Sequence, residues 1–246
     1  MEKTTACTLL LPEGTESGLS AEAEDTPALY ANASLLIEGA GTLSLRSARG
    51  DGLFGREDVI LRGGTVTVEA ERRGIHTRRT LEITGGDLTV DAGRKGLSAR
   101  ESILLSSGRV TVRAGGDGLS VGQRGDQYLQ GAGLLTLSGG EVRIDAYKAP
   151  VDAWGGLILT GGSLFGTGRT EKRQTVMEES AQALLLKLSE GEPEERVAVL
   201  DTDGSVLFEA RPGYAFDLVI CSDAHILRGL SYTVESQRAS YPARAE

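Results

Sequence analysis

Three arginines recur along the chain at a constant interval of 22 residues: Arg56, Arg78 and Arg100. A guanidinium group is a planar fork of donors that pairs with a carboxylate through two parallel hydrogen bonds. If the fold brings residues 22 apart onto one surface, these side chains form a row of cations. Such a row predicts recognition of an anionic chain, with uronate carboxylates as the matching groups on a polysaccharide.

Three ring-bearing side chains lie near these arginines in the same numbering. Phe54 and His76 each precede an arginine by two residues, and Trp154 is the only tryptophan of the chain. Planar rings offer faces on which sugar rings stack, so we interpret the six residues together as a candidate carbohydrate-binding surface. The alternatives are that His76 is an ordinary surface residue and that a corner turns Trp154 inward.

Acidic residues suggest a metal site and, more weakly, catalysis. Calcium takes several oxygen ligands, and a loop carrying Asp126 could approach Asp117, which makes this pair the candidate calcium site. A polysaccharide lyase would need a dense acidic cluster with an arginine base such as Arg73 or Arg78, and no such cluster is evident. A glycosidase needs two facing carboxylates, whereas Asp87 and Glu141 only flank glycine corners. The sequence therefore predicts a protein without catalysis.

A fixed period must position all these side chains. Gly-Gly pairs begin at Gly63, Gly85, Gly139 and Gly161, and Ser107-Gly108 keeps the same spacing. The steps are 85−63 = 22, 107−85 = 22, 139−107 = 32 and 161−139 = 22, so one repeat carries ten extra residues, which we assign to a loop at 122–131. A repeat of this length is typical of a solenoid.

Apolar residues alternate within each repeat, as in strands with one buried face. Three such segments per repeat predict an all-β, right-handed parallel β-helix with three strands per coil over residues 1–168. The remaining residues, 169–246, contain further strand patterns and an Asp203-Gly204 turn, and they predict a β-rich cap of antiparallel strands. A cap would protect the end of the solenoid from edge-to-edge association.

Stacking the coils gives each residue a column, in which equivalent side chains lie about 4.8 Å apart. One outward column contains Phe54, His76, Ser98, Ser120 and Asp152, and the next contains the three arginines and Trp154. Like charges at this spacing repel by on the order of 0.9 kcal/mol in water, which an anion along the column would relieve. Two alternatives remain open. The adjacent column of Glu57, Arg79 and Glu101 could neutralise the arginine row as a solvated ion-pair network of little energetic weight. A turn column contains Asp51, Arg73, Lys95 and Asp117, and its charges could form an ion-pair ladder between the coils.

Composition limits the other functions. The 246 residues carry a net charge of −9, which argues against nucleic acid as a partner. Cys7 and Cys221 are the only cysteines, and we expect both to be buried, free thiols. The first residues do not form a signal peptide, and no apolar stretch is long enough to span a membrane. The oligomeric state is left open.

The chain also resembles a known family, the bacterial carbohydrate-binding domain-containing β-helix proteins, a branch of the pectate-lyase-like architecture. The resemblance lies in the pattern Leu-x-Ile-x-Gly-Ala-Gly-Thr-Leu from Leu35 to Leu43, in the turns Asp51-Gly52-Leu53 and Asp117-Gly118-Leu119, and in the segments at 201–207, 216–222 and 229–234. It implies an extracellular or cell-surface protein that binds acidic or plant cell-wall polysaccharide without catalysis, with calcium as a candidate cofactor. A calcium-dependent lyase and an adhesin-like structural protein are the alternatives.

Overall fold

A computed structural model describes residues 7–123, 132–169, 184–227 and 229–245. Over these ranges the secondary structure is entirely strands and turns, without a helix, so none of these residues belongs to a helix that could cross a membrane. Parallel strands stack into a solenoid of about six turns. The predicted all-β solenoid is therefore confirmed. Most of the predicted loop at 122–131 lies outside the described residues.

The strands form three successive groups along the chain. The first coils contain β1 (Cys7–Leu11), β2 (Glu16–Ala21), β3 (Leu29–Ala31), β4 (Leu35–Gly39), β5 (Thr42–Ser47), β6 (Leu53–Gly55), β7 (Val59–Leu61), β8 (Thr65–Ala70) and β9 (Ile75–Thr77). The later coils contain β10 (Thr80–Ala92), β11 (Leu97–Ala99), β12 (Ser102–Ala114), β13 (Leu119–Val121), β14 (Leu134–Ala146), β15 (Val151–Ala153) and β16 (Gly156–Gly168). The C-terminal strands are β17 (Leu184–Gly191), β18 (Val197–Leu200), β19 (Val206–Ala210), β20 (Phe216–Ser222), β21 (Ser231–Ser236) and β22 (Ser240–Arg244).

Two sheets wrap the solenoid. A 12-stranded sheet carries β10, whose first half pairs with β7 and whose second half pairs with β8, so this sheet bends along its length. A 6-stranded sheet contains the three-residue strands in the order β15-β13-β11-β9-β6-β3. From Thr80 onward the segments before and after each glycine corner form one continuous strand of 13 residues rather than two separate strands.

The bend depends on the second glycine of each corner. Gly64, Gly86, Gly108, Gly140 and Gly162 all have positive φ, between 75° and 90°. A Cβ atom at Gly86 would lie 2.6 Å from the carbonyl oxygen of Gly64 in the preceding coil. Because an L side chain disfavours this conformation and has no room there, glycine is required at the second position. Ser107 occupies the first position of its corner, whereas a Cβ atom at Gly85, the first position of the preceding corner, would lie 2.5 Å from the carbonyl oxygen of Arg62.

The interior is a set of aliphatic columns. Leu53, Ile75, Leu97, Leu119 and Val151 succeed one another in adjacent strands of the 6-stranded sheet, and none is more than 3% exposed. Full burial of one such side chain contributes about 1.5–3 kcal/mol. The columns therefore hold the coils in register. Cys7 departs from the predicted burial: it is exposed, because it lies in β1 at the edge of the sheet, whereas Cys221 in β20 is buried as expected.

The C-terminal strands add a second core. β20 pairs antiparallel with β16, and β17 pairs antiparallel with β20. The remaining four strands form an antiparallel sheet in the order β19-β18-β21-β22. Phe165 of β16 stacks on Phe208 of β19 with ring centroids 5.3 Å apart, so this solenoid strand contributes a ring to the second core. β16 ends at Gly168, and the division of the chain at this point stays a prediction.

The corner geometry predicts a difference between two glycines with the same backbone conformation. Gly86 has a φ of 82° and Gly204 a φ of 84°, but a Cβ at Gly204 would meet no atom within 4 Å. We expect Gly204→Ala to lower the free energy of unfolding by about 1–2 kcal/mol through strain alone. Gly86→Ala adds the collision with Gly64 and should cost at least about 3 kcal/mol. Urea titration of both variants is the measurement, and equal losses would show that the corner is not sterically constrained.

Candidate functional site

The outward side of the 6-stranded sheet carries one column of central residues. Each strand there has three residues, of which the first and third point to the core. The central residues are Tyr30, Phe54, His76, Ser98, Ser120 and Asp152. The five residues from Phe54 to Asp152 occupy the column that their spacing predicts.

Aromatic rings line the first half of this column. The rings of Tyr30 and Phe54 stack with centroids 5.6 Å apart and an interplanar angle of 21°. The imidazole of His76 follows at 5.4 Å from Phe54, tilted by 41°. Tyr30 is 53% exposed, and the other two rings are half-buried. Together the three rings, which we call the aromatic column, offer a platform for the apolar face of a sugar ring.

Tyr30 was missed by the sequence analysis. It precedes Phe54 by 54−30 = 24 residues instead of 22. The coil therefore contains two additional residues, yet the pairing of Leu29 with Leu53 restores the register at this strand. The signal that could have found Tyr30 is local: Leu29-Tyr30-Ala31 repeats the pattern of a ring between two small or aliphatic residues seen at Leu53-Phe54-Gly55.

The second half of the column is polar and buried. Ser98, Ser120 and Asp152 are 7%, 2% and 5% exposed although they lie on the outer side of the sheet. The Nδ1 atom of His76 lies 3.2 Å from the Oγ atom of Ser98. The ammonium group of Lys95 donates to the Oγ atom of Ser120 at 2.7 Å. A ligand therefore has access to the aromatic half of this column.

The predicted arginine row lies directly beside the rings. Backbone hydrogen bonds align its members, because Arg78 donates to Gly55, Arg100 to Thr77 and Trp154 to Val121, each at the same point of its coil. All three arginines are exposed, and Trp154 is half-buried at the far end. The guanidinium carbon of Arg78 lies 5.6 Å from the centroid of the Phe54 ring, a cation–π distance. The arginines and the aromatic column therefore share one surface.

The carboxylates next to the arginine row form ion pairs with a different cation, Arg79. Arg79 lies 3.5 Å from the carboxylates of both Glu57 and Glu101. Its pKa is raised, first by Asp58 and then by Glu101. Among the described residues, no carboxylate lies within 4.0 Å of Arg56, Arg78 or Arg100, and Arg56 donates instead to the amide oxygen of Asn32 at 3.2 Å. The network that could have neutralised the arginine row is thus centred on Arg79.

Of the two residues of the candidate calcium site, only Asp117 lies within the described residues, and its surroundings there do not offer a set of calcium ligands. Asp126 lies outside the described residues. Asp117 is 4% exposed and lies 3.8 Å from the ammonium group of Lys95, which occupies the place of a cation. Asp51 is likewise bound by Arg73 at 2.6 Å. The described ranges contain no group of three or more His, Cys, Asp or Glu side chains arranged to hold a metal ion.

The carboxylates considered for glycoside hydrolysis do not face each other. Asp87, Arg109 and Glu141 succeed one another in adjacent coils, so an arginine separates the two acids. Glu141 is bound by Arg143 at 2.8 Å and by Arg109 at 3.3 Å. The hydrogen bond from Arg143 lowers the pKa of Glu141. Such a carboxyl group is a poor general acid, since that role needs a raised pKa.

Burial controls the charge of His76. Its pKa is lowered to about 4, first by loss of hydration and then by the nearby cation of Arg73. The imidazole is therefore neutral at physiological pH. A neutral ring in this position extends the aromatic column without adding a charge to it.

This pKa predicts a pH dependence of stability. The folded pKa of His76 is about 4 and its ordinary value is 6.5, so the unfolded chain binds more protons between these pH values. We expect the free energy of unfolding to fall by about 1–2 kcal/mol as the pH decreases from 6.5 to 4, after allowance for partial exposure. His76→Gln should lose this component of the pH dependence, as measured by urea unfolding at several pH values. An unchanged slope in this variant would contradict the lowered pKa.

Comparison with known proteins identifies one family. The model of the carbohydrate-binding domain-containing protein family matches residues 3–102 and 74–190. No curated protein and no solved structure matches the chain. The two matches overlap and together span residues 3–190, well over half of the 246 residues. The chain therefore belongs to the family of carbohydrate-binding domain-containing proteins.

Proposed function

We propose that this protein binds an acidic polysaccharide, without catalysis, along the outward surface of the 6-stranded sheet. The observation that carries the proposal is the alignment of the aromatic column with a row of exposed arginines whose neighbouring acids pair with Arg79. Rings bind the apolar faces of sugars, and guanidinium groups bind carboxylates. Family membership supports the carbohydrate ligand.

The charge distribution favours an anionic ligand at this surface and disfavours it elsewhere. The whole chain has a net charge of −9, so a polyanion is repelled at long range. Arg56, Arg78 and Arg100 form a local exception, and their mutual repulsion falls when carboxylates lie between them. Acidic glycans, including those of plant cell walls, carry carboxylates along one chain and meet this requirement.

The scaffold belongs to the same proposal. We take the solenoid as a right-handed, pectate-lyase-like coil with three strands per 22-residue repeat and an antiparallel C-terminal cap. This frame keeps the binding side chains on strands and at strand ends, where their positions are more constrained than on long loops. An extracellular or cell-surface location, where such glycans occur, follows from the ligand class. Calcium is not included, because the described residues do not offer its ligands.

A double substitution tests the arginine row. We expect native gels containing polygalacturonate to retard the protein and gels containing a neutral β-glucan to retard it less. Arg78→Ala combined with Arg100→Ala should weaken retention on polygalacturonate about tenfold, because each exposed ion pair contributes up to about 1 kcal/mol. The loss should be smaller at high salt, where these pairs are already screened.

The matched control removes the same charge elsewhere. Arg46 lies in β5 of the 12-stranded sheet and Arg62 directly follows β7, and both are exposed. Arg46→Ala combined with Arg62→Ala should retain binding. Equal losses in both double variants would reduce the effect to net charge and overturn the proposed surface. Absence of retardation on every acidic glycan, with and without added calcium, would refute the function itself.

A second variant tests the aromatic column independently of charge. Tyr30 is 53% exposed and stacks on Phe54, so Tyr30→Ala should weaken polygalacturonate retention about three- to tenfold, because an aromatic contact contributes about 0.5–1.5 kcal/mol. Tyr147 is 46% exposed outside this surface and provides the matched control, Tyr147→Ala. If Tyr30→Ala binds as tightly as the unmodified protein, the ligand does not reach the rings.

A further inference from the structure

The outer edge of β2 takes no part in the polysaccharide surface. β2 (Glu16–Ala21) pairs with β5 over all six of its residues, without a register shift. Within the ranges that the structure describes, no strand pairs with the other side of β2. At the opposite end of the solenoid, by contrast, the antiparallel strand β20 covers β16. An uncovered edge of this length is a template to which another strand can add.

The backbone groups of alternate residues in β2 point away from β5. The N–H of Thr42 donates to the carbonyl oxygen of Thr15, and the N–H of Ala48 donates to that of Ala21. In a parallel ladder, the N–H and C=O of one residue point to one neighbouring strand, and those of the next residue point to the other. The open side therefore carries the hydrogen-bonding groups of the alternate residues Glu16, Gly18 and Ser20.

The aliphatic columns of the core end at this edge. Ser17 and Leu19 continue the columns of Leu43 and Leu45, and both of these leucines are buried. Leu19 itself is 41% exposed. A strand added to β2 would place alternate side chains over Leu19 and remove this side chain from water. The edge therefore favours a segment with apolar residues at alternate positions.

The sequence around this edge is uniformly acidic. Between Thr4 and Leu45 it contains no lysine or arginine and six acids, which are Glu13, Glu16, Glu22, Glu24, Asp25 and Glu38. Arg72 of a later coil pairs with Asp25. Two copies that met at this edge would bring like charges together, so the charge disfavours a second copy as the occupant. The same charge favours a basic partner.

An acidic groove continues from the end of β2, because Glu22 directly follows this strand. The groove has a volume of about 510 Å³, and its lining includes four exposed acids, Glu22, Glu69, Glu71 and Asp91. Arg46 lies 3.7 Å from Glu69, and Arg113 lies 3.9 Å from Asp91. No lysine or arginine in the described part of the chain lies within 4.0 Å of Glu22 or Glu71. Cations that follow the apolar part of a docked strand would therefore find carboxylates to pair with.

We propose that the open edge of β2 at residues 16–21, here called the docking edge, binds an extended basic segment of another protein by strand addition. The backbone of this segment pairs with alternate residues of β2, and its apolar side chains lie on Leu19. Its lysine or arginine side chains pair with Glu16, Glu22 and Glu71. The site goes beyond the polysaccharide surface, because no residue of the aromatic column or of the arginine row takes part in it.

A labelled peptide, Lys-Val-Lys-Val-Lys-Val, tests the proposal by fluorescence anisotropy on the full chain. We expect this peptide to bind saturably, and we expect hexalysine, which lacks the apolar residues, to bind at least about tenfold more weakly. The acidic peptide Glu-Val-Glu-Val-Glu-Val should not bind. Failure of the Lys-Val peptide to bind would overturn the docking edge. Equal binding of hexalysine would reduce the interaction to charge and overturn strand addition.

Two substitutions at one glycine test the backbone pairing. Gly18→Pro removes an N–H that faces the open side, and proline is tolerated on an edge strand. A Cβ atom at Gly18 would meet no atom nearer than 4.0 Å, so Gly18→Ala is a matched control that keeps the N–H. We expect Gly18→Pro to weaken the Lys-Val peptide at least about tenfold and Gly18→Ala to leave its affinity unchanged. Equal affinities of the two variants would contradict strand addition.

A pair of charge variants tests the acidic groove and does not depend on the folding of the proline variant. Glu22→Gln combined with Glu71→Gln should weaken the Lys-Val peptide about three- to tenfold. Glu192 and Glu194 are exposed acids beside the C-terminal strands, and Glu192→Gln combined with Glu194→Gln is the charge-matched control. Equal losses in both double variants would show that net charge alone attracts the peptide, which would overturn the assigned site.

The two binding surfaces fail separately. Gly18→Pro should retain full retardation on polygalacturonate, because that retardation depends on Arg78 and Arg100, and its loss would contradict the independence of the docking edge. Sedimentation velocity of the protein alone tests the other occupant. Self-association that Gly18→Pro abolishes would assign the docking edge to a second copy of the chain and overturn the basic partner.

Discussion

Hydrogen bonds between successive coils fix the distance at which equivalent residues stand, and the rest of the structure depends on this spacing. At about 4.8 Å, neighbouring backbones leave no room for a Cβ atom inside the corner. Gly86 has this position in one coil and Gly108 in the next, each with its Cβ direction blocked by a carbonyl oxygen 2.6 Å away. The same spacing lets aliphatic side chains stack in the interior. Corners and core are thus two consequences of one constraint.

The spacing also decides how charges are arranged on the outside. Two outward columns alternate in sign from coil to coil: Glu57, Arg79 and Glu101 in one, and Asp87, Arg109 and Glu141 in the other. Alternation is favourable because like charges at this distance repel, whereas opposite charges form ion pairs. The row of Arg56, Arg78 and Arg100 departs from this rule. This row also borders the aromatic column. The like charges therefore lie beside the rings on which a sugar could stack.

The sequence predicts whatever depends on the repeat and fails where the structure departs from it. The solenoid, the buried columns and the outward positions of Phe54, His76 and the arginines all follow from counting in steps of 22. Tyr30 was not predicted as part of the binding surface because its coil is two residues longer than the repeat. The burial of Cys7 was predicted wrongly because a base rate for cysteine takes no account of an edge strand. Glu57 and Glu101 pair with Arg79 rather than with the arginine row because of their side-chain conformations, which the spacing of residues does not determine.

Contacts between distant parts of the chain are the least predictable. Gly213 binds Asp145 across 213−145 = 68 residues, and no periodicity relates the two. Yet the same constraint explains why the contact forms there. A segment that crosses the outward side of a solenoid can satisfy an outward carboxylate through its backbone N–H groups. The Oδ2 atom of Asp145 accepts a hydrogen bond from the backbone N–H of Gly213 at 2.8 Å, and a backbone hydrogen bond from Tyr214 also opposes the rise in its pKa that burial causes. The contact at Asp145 is therefore a consequence of how the C-terminal strands and their connections lie against the solenoid.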